Sequence, residues 1–147
     1  MSTQTQNTVE SLKKILGGTF RLYVQTHGYH WNVEGPDFRQ LHAAFEEQYT
    51  NLWEALDEVA ERIRALGAYA PGSVTELMAL AGPEAGPVQS ANDMVKALLS
   101  AHEGVATDLR AAIKVAQEAG DEVTVGMLTD RLEWHEKEMW MMRAGQA

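Results

Sequence analysis

Thirty consecutive residues, 37–66, contain neither glycine nor proline, and they lie between the breaks at Gly35-Pro36 and Gly67. At about 1.5 Å per residue, a helix over this stretch would form a rod about 45 Å long. The stretch therefore predicts one long, uninterrupted helix, and the rest of the fold must be built around it.

Glycine and proline divide the rest of the chain into further segments. Besides 37–66, the predicted helices are 8–31, 73–81, 91–119 and 122–143. The short helix 73–81 begins at Ser73 with Glu76 three residues later, which is a capping-box pattern. No strand pattern competes with these helices. The order predicts an all-α, ferritin-like four-helix bundle with a short extra helix in the crossover between helices two and three.

We expect a single domain over residues 1–147, with residues 1–7 as a flexible N-terminal tail. The chain has no cysteine, which excludes disulfides and thiolate metal sites. No apolar run approaches the roughly 20 residues that would span a membrane, and the polar start does not resemble a secretory signal. We therefore expect a cytoplasmic protein. The net charge of −9 disfavours nucleic acid as a partner, and neither end carries a basic tail.

The predicted second helix carries two pairs of candidate metal ligands, His42 with Glu46 and Asp57 with Glu61. Residues four apart lie one turn apart on the same face, so both side chains of a pair can bind one ion. Imidazole and carboxylate groups suit iron, zinc or manganese. Either pair alone is more typical of a solvated helix face, so the prediction depends on both pairs together.

The two pairs are spaced symmetrically along the helix. Positions 42 and 57 are fifteen residues apart, or about 22 Å, so the pairs cannot meet on one metal within one chain. Positions 42 and 61 sum to 103, and so do 46 and 57. Two copies that cross antiparallel near residues 51–52 would place 42 opposite 61 and 46 opposite 57. The spacing predicts an isologous dimer with two identical sites, each built from both subunits.

His30 is a further candidate ligand, because it lies one turn before the Gly35-Pro36 break. A tight reversal there carries His30 toward the early turns of the second helix, where His42 lies. The in-bundle di-iron motif Glu-x-x-His does not occur, since none of the five histidines has a glutamate three positions earlier. The His-Glu-x-x-His motif of zinc proteases does not occur either.

Two segments resemble the signatures of Dps proteins, the mini-ferritins of starved or peroxide-stressed bacteria. They are HWNVEGPDFRQLHAAFEEQYTNLWEALDEVAERIRALG, residues 30–67, and TDRLEWHEKEMWMMRA, residues 129–144. The resemblance implies a four-helix bundle that assembles into a hollow dodecamer. It implies a ferroxidase that oxidises Fe(II), preferably with hydrogen peroxide, at sites between two-fold-related subunits. It also implies storage of ferric mineral in the cavity and protection from oxidative damage.

The family's ligand pattern falls on His30, His42, Glu46, Asp57 and Glu61. It implies about two iron ions at each site, with zinc as an alternative metal. The family commonly has aspartate at position 46, whereas this chain has the longer glutamate.

The resemblance also bears on the cation-attracting pores of the cage. Many relatives carry an acidic residue where this chain has Gly126, while Asp121 and Asp130 remain. Trp31 is expected in the core, although the resemblance implies a place near the iron. His27 is expected either as a hydrogen-bonded neighbour or as an auxiliary ligand.

Two alternative functions are left open by the sequence. The first is a metal-sequestering or structural cage with weak ferroxidase activity, and the second is a DNA-protecting nucleoid protein. His102 and His135 stand apart in the sequence, and we expect them to be structural and not metal ligands.

Overall fold

The structure, a computed structural model, describes residues 1–87 and 90–146. These residues form five helices, α1 (Thr3–Asn32), α2 (Phe38–Ala65), α3 (Val74–Ala81), α4 (Ala91–Glu118) and α5 (Glu122–Gln146). The prediction of an all-α bundle with a short extra helix between the second and third long helices is confirmed. None of the helices described combines the length and the apolar character that crossing a membrane requires.

The two ends of the chain differ from the prediction. The flexible tail expected over residues 1–7 is wrong from Thr3 onward, because α1 begins there. The Ser2 hydroxyl accepts a hydrogen bond from the Thr5 backbone N–H at 3.1 Å and caps the helix. Thr8 is buried, so the first turns are held by packing as well as by the cap. At the other end, α5 continues to Gln146 instead of ending at residue 143.

A tight reversal joins α1 to α2. The Val33 N–H donates to the Tyr29 carbonyl at 2.9 Å, and the Val33 side chain is buried in the core. Gly35 then adopts a φ of 121°, which only glycine tolerates readily. The Phe38 N–H donates to the Gly35 carbonyl at 3.1 Å as α2 begins. This turn sends α2 back along α1 and places the end of one helix beside the start of the other.

The short helix α3 packs directly on α1 at Gly17. A Cβ added to Gly17 would lie 2.5 Å from Leu80 Cβ and 2.6 Å from the Leu80 carbonyl carbon. Only a residue without a side chain permits this approach. The Ser73 hydroxyl caps α3 by accepting from the Glu76 N–H at 3.1 Å, as the capping pattern predicts.

The bundle interior combines an apolar core with a chain of buried hydrogen bonds across α2, α4 and α5. Arg131 has only donors, so its Nη2 donates to His135 Nε2 at 3.4 Å. His135 therefore carries its proton on Nδ1 and donates to His102 Nδ1 at 2.9 Å. His102 Nε2 then donates to Gln48 Oε1 at 3.4 Å, and Gln48 Nε2 donates to Glu138 Oε2 at 3.3 Å. Each neutral ring in this chain donates once and accepts once.

Both core histidines are neutral. Burial, reinforced by the Arg131 charge, lowers the pKa of His102 to about 3. Burial, followed by the effects of His102 and Arg131, lowers the pKa of His135 to about 2. The sequence presents these residues as separate, whereas the fold joins them into one buried pair.

Candidate metal centre

The α1–α2 reversal brings His30 and His42 into direct contact. Their rings stack with centroids 3.7 Å apart and planes inclined by 14°. His30 Nδ1 donates to the His42 carbonyl at 2.7 Å, and His42 Nδ1 donates to the His30 carbonyl at 2.7 Å. The His30 carbonyl is available because it belongs to the last turn of α1, where carbonyls have no partner within the helix. The predicted approach of His30 to His42 is thus confirmed.

These reciprocal bonds fix where each ring carries its proton. A carbonyl oxygen can only accept, so both Nδ1 atoms are protonated. In the neutral form, the Nε2 atoms of His30 and His42 each keep a free lone pair. A metal ion binds histidine through such a lone pair. The backbone bond on the opposite nitrogen also holds each ring in place, as the outer partners of metal-bound histidines do.

Glu46 lies one turn after His42 and faces the same space. Its Oε1 atom is 3.9 Å from His30 Nε2, and its side chain is exposed while that of His30 is buried. Phe38 stacks on His42 with ring centroids 4.9 Å apart. Tyr49 meets the His30 ring edge-on at 5.1 Å. The structure therefore brings together three of the five predicted ligands.

The other two predicted ligands, Asp57 and Glu61, form a separate pair on the exposed side of α2. A hydrogen bond to Asp57, the nearby Asp57 charge and, least of the three, desolvation together raise the pKa of Glu61. Two neighbouring carboxylates repel each other when both are ionised, so a cation placed between them would relieve that repulsion. Within residues 1–87 and 90–146, no three His, Asp or Glu side chains are arranged to hold a metal ion. Neither the three residues near the turn, His30, His42 and Glu46, nor the pair Asp57 and Glu61 forms a complete metal site within one chain.

Aromatic residues surround the histidine pair. The His27 ring stacks on Tyr49 with centroids 3.8 Å apart, and its Nδ1 lies 2.9 Å from the Tyr23 hydroxyl. Trp31 packs on His27 at 4.3 Å but is 66% exposed, so the expectation that Trp31 belongs to the core is wrong. Tyr49 is not among the site residues predicted from the sequence. It lies seven residues after His42 and hence on the same side of α2.

The acidic residue expected to help form a cation-attracting pore has another role in the fold. Asp121 binds Arg62 Nη2 at 2.7 Å and caps α5 by accepting from the Thr124 N–H at 3.0 Å. Partial burial would raise the pKa of Asp121, but the bonds from Thr124 and Arg62 outweigh it and lower that pKa. Its charge is neutralised locally, whereas Asp130 stays exposed.

Comparison with known proteins places this geometry in a family. Residues 9–145 match the ferritin-like domain. A low temperature-induced protein of Nostoc sp. is 40% identical over 144 residues, covering 96% of this chain and 80% of the relative. DNA protection during starvation protein 2 of Bacillus anthracis is 34% identical over 137 residues, covering 92% and 94%.

A solved structure extends the similarity to the whole backbone. The Dps protein of Vibrio cholerae O1, described as one of the ferritin-like diiron-carboxylate proteins, matches with a TM-score of 0.94 and 33% identity, over 99% of this chain and 92% of that one. The chain belongs to the Dps family of ferritin-like proteins, and the resemblance in the sequence is confirmed.

Proposed function

We propose that the protein stores and detoxifies iron by oxidising Fe(II) at sites between two-fold-related subunits. The observation that carries the proposal is the reciprocal bonding of His30 and His42, which leaves both Nε2 lone pairs free beside Glu46. Membership of the Dps family supports the same reading. The family resemblance further suggests a hollow dodecamer in the cytoplasm that holds the ferric product as mineral.

Each site would take its ligands from two chains. His30, His42 and Glu46 would supply one side, and Asp57 with Glu61 of a second copy would supply the other. The spacing along α2 supports this, because an antiparallel two-fold crossing near residues 51–52 sets the two groups face to face. Imidazole nitrogens combined with carboxylates suit Fe(II), which is the substrate here.

Hydrogen peroxide is the oxidant that we propose. Two ferrous ions give one electron each, so that 2 Fe²⁺, H₂O₂ and 2 H⁺ yield 2 Fe³⁺ and 2 H₂O. Both peroxide oxygens leave as water, and no hydroxyl radical is released. The reaction would therefore remove two harmful species together, which would protect the cell under oxidative stress.

Anaerobic addition of Fe(II), followed by peroxide, tests the activity. Ferric absorbance should rise quickly in the natural protein, and His30→Ala with His42→Ala should abolish the fast phase. Glu133→Gln is the matched control, because Glu133 is an exposed residue of α5. A fast phase that survives the double histidine substitution would refute the proposed ligands.

Mixed assembly tests whether the site is shared. Subunits with His30→Ala and His42→Ala lack one half-site, and subunits with Asp57→Ala and Glu61→Ala lack the other. Each parent should be inactive, but random pairing should restore about one quarter of the sites, because half of the dimers are mixed and each of those rebuilds one complete site. No recovery in properly assembled mixtures would argue against a site between subunits.

Substitution of Glu46 tests whether the protein is an active ferroxidase or a cage with weak activity. Its Oε1 already lies 3.9 Å from His30 Nε2, whereas two atoms bound to one metal are about 3 Å apart. The shorter side chain of aspartate would place its carboxylate further from His30 Nε2. Glu46→Asp should therefore weaken Fe(II) binding about tenfold, equivalent to about 1.4 kcal/mol. Tighter binding or faster oxidation in that variant would instead indicate that glutamate impairs the site.

A further inference from the structure

Three rings lie face to face in a row where the chain turns from α1 into α2. Phe38 stacks on His42 with ring centroids 4.9 Å apart and planes inclined by 22°. His30 stacks on His42 with centroids 3.7 Å apart and planes inclined by 14°. Two rings do not fit side by side on one face of an imidazole at these distances. Phe38 and His30 therefore cover opposite faces of the His42 ring.

The turn fixes the position of Phe38. Its backbone N–H donates to the Gly35 carbonyl at 3.1 Å, so Phe38 is held at the point where α2 begins. It precedes His42 by four residues and thus lies one turn away on the same face of the helix. The Phe38 side chain is 39% exposed, so burial in the apolar core does not account for its place. Its ring packs on His42 instead.

The His42 ring has less support from the rest of the fold than the His30 ring. His30 is buried and also meets Tyr49 edge-on at 5.1 Å, whereas His42 is only half-buried. Its Nδ1 bond to the His30 carbonyl holds one atom of the ring. The χ2 torsion of histidine has broad minima, so this single bond does not fix the tilt of the ring. His30 blocks a tilt in one direction, and Phe38 blocks it in the other.

We propose that Phe38 is a positioning residue of the metal centre, which holds the His42 ring so that its Nε2 stays directed at the bound ion. The proposal rests on the proposed function, because it takes His42 as a metal ligand. Ligands are held in their productive geometry by packing as well as by hydrogen bonds from outer partners. Here the His30 carbonyl supplies the hydrogen bond and Phe38 supplies the packing.

Binding of Co(II) alone to the assembled, metal-free protein tests the proposal. Phe38→Leu keeps an apolar side chain that favours helix but removes the flat ring. It should weaken Co(II) binding about ten- to a hundredfold, as the loss of other outer partners of metal ligands does. The visible absorbance spectrum of bound Co(II) should also change, because it reports the coordination geometry. The thermal unfolding midpoint of the metal-free protein should stay the same.

Phe38→Tyr is the matched control. It keeps the ring and adds only a hydroxyl at a position that is 39% exposed. Both the affinity for Co(II) and the spectrum should match those of the natural protein. Unchanged affinity and spectrum in Phe38→Leu, or equal losses in the two variants, would overturn the proposal.

Crystal structures of the metal-free proteins test the positioning directly. In Phe38→Leu the His42 ring should leave its parallel stack on His30 or adopt more than one orientation, while the His30 ring stays in place. A His42 ring that superposes on that of the natural protein would refute the assignment. Neither measurement involves oxidation of iron. A natural protein that binds Co(II) but gives no fast ferric phase with peroxide would therefore contradict the proposed function and leave the role of Phe38 intact.

Discussion

Acid should destabilise the subunit through the buried pair His102 and His135. Their pKa values in the fold are about 3 and about 2, whereas a histidine in an unfolded chain has a pKa of about 6.5. Below pH 6.5 the unfolded chain binds two protons that the folded chain does not, so the free energy of unfolding falls as the pH falls. At pH 5.5 each histidine costs about 1.4 kcal/mol relative to pH 7.5, and the pair costs about 3 kcal/mol per subunit.

The measurement compares unfolding of the assembled protein by denaturant at pH 7.5, 6.5 and 5.5. The subunit concentration is kept constant, because unfolding is linked to disassembly. This range lies above the pKa of ordinary carboxylates. Glu61 and Glu138 have a raised pKa in the fold, so any protons they take up would stabilise the folded chain at low pH and oppose the slope from the histidines. The expected loss of about 3 kcal/mol is a large share of the stability of a typical domain.

His102→Gln isolates one of the two protons. The Gln oxygen can accept from His135 and its amide can donate to Gln48, so the pattern of donors and acceptors is kept without a titrating group. The variant should lose about 1.4 kcal/mol less than the natural protein between pH 7.5 and 5.5. Differences between pH values are compared, so any packing defect cancels. An unchanged pH slope would refute the argument.

Two further substitutions test the packing and the cap. Gly17→Ala should cost about 2 kcal/mol in thermal unfolding, because its Cβ would meet the backbone of Leu80. Gly18→Ala, where an added Cβ has 3.7 Å of room, is the control and should be neutral or stabilising; equal losses at both positions would contradict this. Asp121→Asn should cost about 1 kcal/mol by removing the Arg62 ion pair, without slowing iron uptake. Slower uptake at unchanged stability would instead assign that carboxylate to a cation path.

Much of the fold could be predicted because glycine and proline mark where its helices end. The Gly35-Pro36 break also predicted the contact of His30 with His42, since a short turn leaves few positions for the two helices. Both results depend on residues that are close in sequence. Such local patterns determine helices and tight turns before any packing is known.

The features that the sequence did not predict depend on packing between distant residues. His102 and His135 are thirty-three residues apart, and their contact follows only from the register of α4 against α5. Trp31 is apolar, but its ring is exposed and packs on His27, which in turn stacks on Tyr49. Hydrophobicity alone cannot distinguish a core side chain from one that packs on a surface cluster.

The hydrogen bonds of the core are consistent with the proposal that metal binds on the surface of this bundle and not in its interior. In the interior, His135 Nε2 accepts from Arg131, and His102 Nδ1 accepts from His135, so neither ring has a lone pair left for an ion. At the α1–α2 turn the backbone takes the opposite nitrogens of His30 and His42 and leaves both Nε2 atoms free. The two pairs of histidines therefore differ in whether a ring nitrogen keeps a free lone pair. In the core pair a side-chain donor uses the lone pair, whereas in the pair at the turn the backbone carbonyls bind only the protonated nitrogens. In the proposed site a second chain would supply Asp57 and Glu61, so assembly and iron binding would depend on the same surface.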